Sequence, residues 1–267
     1  MKKSLCLVSV GCFLASACLA SAEGQHWWSG DWYVSIGGSG FSAPKFSGAK
    51  HAELQFAPLI SAGKAGPAPR FLSRNDNPSF VLIDHGAVRA GIVGKLITKR
   101  DDDTDAALVG LAPIKWGVEL GGFAEVYPTD WLRVRGEVRH GIRGHHGVVA
   151  DLAVDAYTDI IPNLRLSGGP RATFASKSFN KAYYGVDAEE SARSGLSEYA
   201  PGDGLQSVGA GAALTWQATE AITASSFIEY RRLSGAAADS SLVRERGSRD
   251  QLLIGVSASY KFGFTLD

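Results

Sequence analysis

The segment nearest the C-terminus alternates between two kinds of side chain. In DQLLIGVSASYKFGF (250–264), every second residue from Leu252 to Phe264 is apolar, and the positions between them are small or polar with one exception. A period of two predicts an extended strand with two unlike faces. The segment is long for a strand, since about five or six residues are usual in globular proteins.

The same alternation recurs along most of the chain. It is poorer between residues 41 and 86, where it indicates two or three strands near 52–60, 68–73 and 79–85. Helix-like periodicity is almost absent. The pattern therefore predicts an all-β, antiparallel protein of about twelve strands, with ten as the alternative. The clearest strands are predicted at 31–40, 87–98, 116–127, 131–140, 147–158, 163–175, 207–217, 221–232 and 250–264.

The connections between these strands alternate between short and long. Long connections on one rim and short turns on the other are the plan of an outer-membrane β-barrel. Aromatic residues such as Trp32, Trp116 and Tyr230 lie near strand ends, where an interfacial girdle would place them. The long connections are 99–115, 176–205 and 233–249, and the short ones are 84–86, 128–130, 159–163 and 218–221.

Together these patterns predict a closed transmembrane β-barrel with lipid outside and a polar lumen inside. Closure is expected because an open sheet edge would leave backbone groups unpaired in hydrocarbon. The last strand must then pair with the strand that begins near Asp31. A soluble periplasmic sandwich or lipocalin-like barrel would show the same alternation. The length of the strands, and the Gly and Ser beside paired charges on the polar face, favour the membrane barrel.

The N-terminus has the features of a secretory signal peptide. Lys2 and Lys3 precede an apolar stretch, and Ala20-Ser21-Ala22 is an A-x-A cleavage site. The sequence therefore predicts a signal peptide over residues 1–22 and a barrel over residues 23–267. All three cysteines lie in the predicted signal peptide, so the mature chain would contain no disulfide and no thiolate ligand.

The balance of charge argues against one class of partner. The chain has 27 basic and 27 acidic residues, and removal of the signal peptide takes two lysines, leaving 25 against 27. This balance lacks the basic footprint of a protein that binds nucleic acid. No run of about 18 apolar residues follows the predicted cleavage site, so no transmembrane helix is predicted.

Opposite charges are predicted to face each other inside the lumen. If the turn after the strand 116–127 is centred on Thr129, residue i faces residue 258 − i. Glu125 then faces Arg133, and Glu119 faces Arg139. Such cross-strand pairs contribute about 0.2–1 kcal/mol each. The predicted lumen charges are Glu119, Glu125, Arg133, Arg135, Glu137, Arg139, Asp151 and Asp155, with the two aspartates near Arg135 and Arg139.

No motif in the chain predicts catalysis or a cofactor. The histidines His140, His145 and His146 could bind a transition metal, but their spacing is more typical of a solvated surface loop. The aspartates of RDDDTD (100–105) lack the glycine and the distal glutamate of a calcium loop, which again favours a solvated loop. No G-x-S-x-G nucleophile motif is present. The sequence therefore predicts a non-enzymatic protein without a metal or cofactor.

Three stretches of the chain resemble the MipA/OmpV family of outer-membrane proteins, the MltA-interacting scaffold type. They are YYGV (183–186), LSEYAPGDGLQSVGAGAALTW (196–216) and EYRRLSGAAADSSLVRERGSRDQLLIGVSASYKF (229–262). Ser241 stands where the family usually has proline, and Tyr184 stands where it has phenylalanine. The residues that carry the resemblance are Tyr184, Gly185, Val186, Arg232, Leu233, Asp239, Ser240, Leu242, Val243, Tyr260 and Phe262.

This resemblance implies an outer-membrane barrel in a Gram-negative cell. For the family's named member it implies a scaffold that joins a murein-degrading lytic transglycosylase to a murein synthase. Other members are surface antigens or porin-like proteins, so a small-solute channel is the alternative function. The implied partners are outer-membrane lipid and the two murein enzymes.

The barrel should have both termini in the periplasm and its long connections outside the cell. Long inward side chains predict a lumen with little free cross-section. The connection 176–205 is expected to fold into the lumen and narrow it further.

Overall fold

A computed structural model of the chain describes residues 11–14, 29–64 and 71–266. These residues form an antiparallel sheet with short helices at one rim. The strands are β1 (Gly11–Leu14), β2 (Gly30–Pro44), β3 (Ala52–Lys64), β4 (Ser79–Asp84), β5 (Val88–Ile97), β6 (Gly117–Thr129), β7 (Leu132–Gly141), β8 (Val148–Ile161), β9 (Leu164–Ala175), β10 (Gly204–Gln217), β11 (Ile222–Leu233) and β12 (Asp250–Leu266).

Strands β2 to β12 make up the antiparallel part of the sheet. Each strand from β4 to β11 pairs with the next one in sequence, and β12 pairs in addition with β2, which pairs with β3. The β12–β2 register places Thr265 opposite Asp31 and Ile254 opposite Ser42. The predicted pairing of the last strand with the strand that begins near Asp31 is therefore confirmed.

The described sheet is not closed, in contrast to the closed barrel that the pattern predicts. It ends at β4 on one side, and on the other side β1 pairs with β3 in parallel. Strands β3 and β4 both run toward the same rim, so the sheet could close between them only through a parallel pairing. The sheet thus has eleven antiparallel strands and the short β1, and not twelve antiparallel ones.

The difference in strand number comes from the segment predicted as a strand at 68–73. Residues 68–70 lie outside the described part of the chain, and residues 71–78 form no strand. Instead their side chains bind the inner face of the sheet, as described below. Because residues 71–78 form no strand, β3 and β4 are consecutive in the sequence, run in the same direction and lie at opposite edges of the antiparallel part of the described sheet. Alternation of side chains alone does not reveal this.

The predicted signal peptide is only partly described. Residues 1–10 and 15–28 lie outside the described residues, and Gly11–Leu14 is β1. Cleavage after Ala22 stays a prediction. If it occurs, it removes β1 from the edge of β3.

The two rims of the sheet differ in the lengths of their connections, as the sequence predicts. At the short-turn rim the connections are 85–87, 130–131, 162–163 and 218–221. At the long-loop rim the connections 98–116, 176–203 and 234–249 carry helices. These are the 3-10 helix Ala106–Leu108, α1 (Lys177–Tyr184), α2 (Ala188–Ser194), α3 (Gly235–Ala238) and the π-helix Leu242–Arg246.

No helix among the described residues is long and apolar enough to cross a membrane.

The two faces of the sheet are the reverse of those of a soluble protein. On the outer face large apolar side chains are exposed: Val256 is 61% exposed and Phe262 is 51% exposed. On the inner face charged side chains are buried: Arg133 is 0% exposed and Glu119 is 2% exposed. A soluble sandwich would bury the apolar face and expose the charged one. The observed distribution suits a sheet that is surrounded by lipid.

Candidate functional site

The predicted lumen charges lie on the inner face, in a register that differs from the predicted one by two residues. The β6–β7 hairpin pairs Glu125 with Arg135, so residue i faces residue 260 − i. The hairpin turns after Thr129 and not on it, because Thr129 already pairs with Leu132 and a β-bulge lies between Val126 and Thr129. A shift of two residues leaves every side chain on the same face.

Arg133 is the centre of a buried ion-pair network. Its Nη2 donates to Asp155 Oδ2 at 2.6 Å, and Nη1 and Nη2 donate to the two carboxylate oxygens of Asp76 at 2.7 and 2.8 Å. The contact with Glu125 is longer, at 3.4 Å from Nη1. Asp76, which no strand pattern in the sequence places in the lumen, is thus the bidentate partner of this arginine.

The two predicted lumen aspartates, Asp151 and Asp155 of β8, lie beside Arg139 and Arg133, respectively. Asp155 is directly opposite Arg133 in the β7–β8 register. Asp151 accepts a hydrogen bond from Arg139 Nη2 at 2.5 Å. No ion pair joins either aspartate to Arg135 among the described residues, whereas the register assumed from the sequence placed Arg135 near them.

Arg135 and Arg139 complete the network. Arg139 donates to Glu119 at 2.9 Å and to Glu137 at 2.5 Å. Arg135 donates to Glu125 at 2.9 Å and to Glu137 at 2.9 Å. Removal of one partner of a buried ion pair typically costs about 3–5 kcal/mol, because the other charge stays buried without a partner. The network therefore constrains the inner side of β6, β7 and β8.

Arg171 supplies hydrogen bonds where its own strand cannot. Pro170 leaves β9 without a backbone N–H donor in the middle of a strand that has neighbours on both sides. Arg171 Nη1 donates to the carbonyl oxygen of Val154 on β8 at 3.1 Å. Its Nη2 forms an ion pair with Asp155. The stretch GGPR (168–171) is the sequence signal for this arrangement, because a proline inside a central strand leaves a neighbouring carbonyl oxygen without its backbone donor.

Residues 71–78, here called the luminal segment, cross the space that the sheet partly surrounds. The ring of Phe71 stacks on Tyr157 with centroids 4.5 Å apart, and the Arg74 guanidinium lies 3.6 Å from the centroid of the Phe227 ring. The remaining contacts are polar. They are Asp76 with Arg133 (2.7 Å), Asn77 with Glu137 (2.7 Å), Asn75 with Glu229 (2.6 Å) and Ser73 with Arg171 (3.3 Å).

The connection 176–203 forms part of a cap at the long-loop rim, where Phe179 and Tyr183 of α1 pack against His145. That this connection narrows the lumen stays a prediction. Asp187 begins α2 with a capping box, in which its side chain accepts a hydrogen bond from the Glu190 backbone N–H at 2.8 Å. Gly195, at a φ of 76°, ends the helix in the left-handed conformation. Apolar residues from several connections are buried in the cap, namely Phe46, Leu108, Phe179, Tyr184, Val186, Leu196, Leu233, Leu242 and Val243.

The cap brings together two stretches that carry the family resemblance. Tyr184 is 1% exposed, and its hydroxyl donates to Ser47 Oγ at 2.9 Å and accepts from Gln206 Nε2 at 3.2 Å. Ser240 Oγ donates to the carbonyl oxygen of Tyr184 at 2.7 Å. The YYGV stretch is therefore tied to the stretch that follows β11.

The other residues of the resemblance fall into three groups. Leu233, Leu242, Val243 and Val186 are buried in the cap, and Gly185 ends α1. Arg232 pairs with Asp250 at 2.7 Å and Asp239 pairs with Arg249 at 3.2 Å, both on the surface. Tyr260 and Phe262 lie on the outer face of β12, with ring centroids 4.6 Å apart.

The start of the RDDDTD stretch is buried, although the sequence predicts a solvated loop there. Arg100 Nη1 donates to the Tyr183 carbonyl oxygen at 2.8 Å. Burial lowers the pKa of Arg100 below its ordinary value, and no carboxylate within the described ranges forms an ion pair with it. Lys99 pairs with Asp101 and, at 3.3 Å, with Asp103.

The histidine cluster is likewise divided between the interior and the surface. His145 is 3% exposed, its Nε2 lies 3.0 Å from Glu119 Oε1, and its Nδ1 accepts from the Gly147 N–H at 3.0 Å. Its ring packs edge-on against Phe179 of α1, with centroids 4.8 Å apart. The surface-loop prediction is therefore wrong for His145, whereas His140 and His146 are exposed.

Comparison with known proteins gives one family and several remote structural similarities. No curated protein sequence matches the chain. Pseudomonas putida OprB is 14% identical, with a TM-score of 0.38 over 69% of this chain and 47% of OprB, so the chain spans about half of that protein. The CymD monoaromatic hydrocarbon channel is 10% identical, with a TM-score of 0.40 over 89% of this chain and 90% of CymD. The Ralstonia pickettii toluene transporter TbuX is 8% identical, with a TM-score of 0.33 over 90% of each chain.

The family match covers most of the described structure. The profile of the MltA-interacting protein MipA matches residues 36–262, which extend from β2 to β12 and include the cap and all the predicted lumen charges. The chain therefore belongs to the MltA-interacting protein (MipA) family.

Proposed function

We propose that this protein is a non-enzymatic outer-membrane β-barrel that acts as a scaffold for murein-remodelling enzymes. The observation that carries the proposal is the family match over residues 36–262, since the family is described by its interaction with MltA. The enzymes that it would hold are a lytic transglycosylase and a murein synthase. The apolar outer face and the occupied lumen fit a protein that is anchored in lipid and whose function does not require transport through the lumen.

The mature protein would begin at residue 23 and close its sheet between β3 and β4. Removal of the signal peptide takes β1 away from the edge of β3. Two unpaired edges in hydrocarbon are costly, because each backbone group without a partner costs several kcal/mol. A parallel β3–β4 pairing would satisfy these groups and yield an eleven-stranded barrel.

The alternative function is a small-solute channel. The inner face of the sheet is polar and charged, which a water-filled channel also requires. However, the buried network around Arg133 and the luminal segment occupy the middle of this space. The scaffold therefore ranks ahead of the channel.

The surface available to a periplasmic enzyme would be the short-turn rim. The long connections form the cap at the opposite end, so a partner in the periplasm would meet only the short connections and the N-terminal residues. Ile161, the last residue of β8, is 56% exposed there, and its neighbour Ile160 is 55% exposed. Adjacent exposed apolar side chains form a candidate contact for a protein partner.

The test is capture of a lytic transglycosylase by the folded protein in detergent micelles. Wild-type protein should retain the purified transglycosylase on an affinity column, and Ile161→Asp should weaken the retention. Ile142→Asp is the matched control, because Ile142 is 50% exposed at the opposite rim. The scaffold proposal fails if folded wild-type protein does not retain the enzyme. Equal losses for both variants would show that the short-turn rim is not the contact.

A further inference from the structure

The luminal segment is bound to two different walls of the lumen. Asp76 and Asn77 bind Arg133 and Glu137 on β7. Residues on the other side of the segment reach β11: Asn75 binds Glu229, and Arg74 lies over the ring of Phe227. The segment therefore bridges the space between the walls instead of lying along one of them.

The wall formed by β10 to β12 and β2 to β3 carries short side chains on the part of its inner face that lies between Phe227 and the short-turn rim. One row of residues that face each other across these five strands is Thr215, Ser225, Ser257, Ser39 and Ala57. The wall formed by β5 to β9 carries the long side chains of the ion-pair network instead. The short side chains cannot reach across to the charged wall, so the luminal segment is what fills the space between them.

Side chains, and not sheet hydrogen bonds, hold the segment in place. Among the described residues, its one backbone hydrogen bond to the sheet is at its end, where the Gly94 N–H donates to the Pro78 carbonyl oxygen at 2.9 Å. Its main contacts are charged or polar groups, which water can solvate when they separate. Asp76 is the principal anchor, because it makes two hydrogen bonds to Arg133 and lies 3.8 Å from Arg135 Nε.

We infer that the luminal segment is a reversible plug. While Asp76 binds Arg133, the lumen is closed; when the segment moves out of the lumen, the space beside the row of small residues conducts small inorganic ions. Gated conduction of this kind goes beyond the scaffold role and does not depend on it. It also gives the polar inner wall of small residues a function that an anchored scaffold would not need.

The first test is the conductance of the refolded mature protein in planar bilayers. Asp76→Asn keeps the size of the side chain and removes its charge, which weakens the contact with Arg133. We therefore expect the fraction of time that the lumen is open to rise about tenfold or more over wild type. The matched control is Asp159→Asn, which removes the exposed ion pair with Arg165 and touches none of the luminal segment. Its conductance should equal that of wild type.

The second test measures the position of the segment directly. Ser73 is 8% exposed, and the mature chain has no cysteine, so Ser73→Cys places a single thiol in the plug. A charged thiol reagent should modify it slowly in wild-type background and several times faster when Asp76→Asn is also present. Ser197→Cys, at an exposed position of the cap, should react rapidly in both backgrounds.

Two results would overturn the inference. Rapid modification of Ser73→Cys in folded wild-type background would show that the segment does not lie in the lumen. Unchanged conductance of Asp76→Asn, together with continued protection of the thiol at position 73, would show that Asp76 does not hold a gate. Migration on a detergent gel before heating identifies variants that fail to fold. If Asp76→Asn fails to fold, the rate at which the reagent modifies Ser73→Cys in the wild-type background tests the inference.

Discussion

At the scale of single residues, the main feature is the burial of charge on the inner face. Arg133 and Arg139 are almost inaccessible, and each is surrounded by carboxylates. Such arginines are stable because bidentate and multiple hydrogen bonds replace the water they lose. Substitution of these residues should therefore change both the stability and the electrical properties of the lumen.

The first prediction concerns these two arginines. Replacement of both Arg133 and Arg139 by Ala shortens two long side chains, frees Asp76 and leaves Glu119 and Glu125 with fewer partners. Conductance in planar bilayers should rise, and the reversal potential in a KCl gradient should shift toward cation preference. A wild-type protein that already conducts like an open porin would contradict the prediction and favour the channel function.

The second prediction concerns Tyr184 in the cap. Tyr184→Phe loses the hydrogen bonds to Ser47 and Gln206, which are worth about 1 kcal/mol each, but keeps the packed ring. Tyr184→Ala also removes the ring, at a cost of about 3–5 kcal/mol. Trypsin should therefore cleave the folded Ala variant after Arg193 much faster than wild type, and the Phe variant only slightly faster. Equal cleavage of all three proteins would show that Tyr184 does not hold the cap together.

At the scale of the element, β12 is the strand whose two pairings join the end of the chain to its beginning. It pairs with β11 from Asp250 to Tyr260 and with β2 from Ile254 to Leu266. Its outer residues are apolar along its length, and the inner residues are mostly small, including Gly255, where a Cβ would meet Phe41 and Phe227. A register that placed a larger side chain at the position of Gly255 would therefore clash with these two rings.

The third prediction follows from this position. Truncation after Val256 removes most of the β12–β2 pairing and exposes two sheet edges to lipid. We expect no folded protein in the outer-membrane fraction, as judged by sedimentation and immunoblotting. Truncation after Phe264 is the control, since it leaves most of the same pairing in place and should assemble. Normal assembly of the shorter protein would show that the seam between β12 and β2 is dispensable.

At the scale of the whole molecule, the chain is a sheet that is apolar outside and charged inside, with a cap at one rim. The network, the luminal segment and the cap each tie residues from distant parts of the sequence together. Such a molecule should unfold with a high kinetic barrier in detergent, as long-range strand pairings must separate together.

The fourth prediction concerns location and compactness. The protein should sediment with the outer membrane after cell fractionation, and it should migrate faster on a detergent gel before heating than after boiling. The reason is that the folded sheet stays compact in detergent until heat separates its strands. Recovery of the mature protein in the soluble periplasm would contradict the membrane assignment.

The sequence by itself determined the class of the fold and the face of each strand. Alternation with a period of two assigns inward and outward sides without any knowledge of the register. For this reason Glu125, Arg133 and Arg139 were placed on the inner face, even though the assumed turn put the register of β6 and β7 out by two residues. The contrast between short and long connections was also readable, because it depends only on counting residues between strands.

Only the tertiary structure decided what fills the lumen and which charges pair. The stretch RNDN resembles an ordinary polar loop in the sequence, yet Asp76 binds an arginine 57 residues away in the chain. His145 and Arg100 are buried because the cap packs over them, and a single sequence contains no periodic signal for contacts between separate loops. The common direction of β3 and β4 was decided in the same way, because residues 71–78 form no strand and instead bind across the lumen through their side chains. Local pattern determines faces, whereas contacts between residues distant in sequence depend on the path of the whole chain.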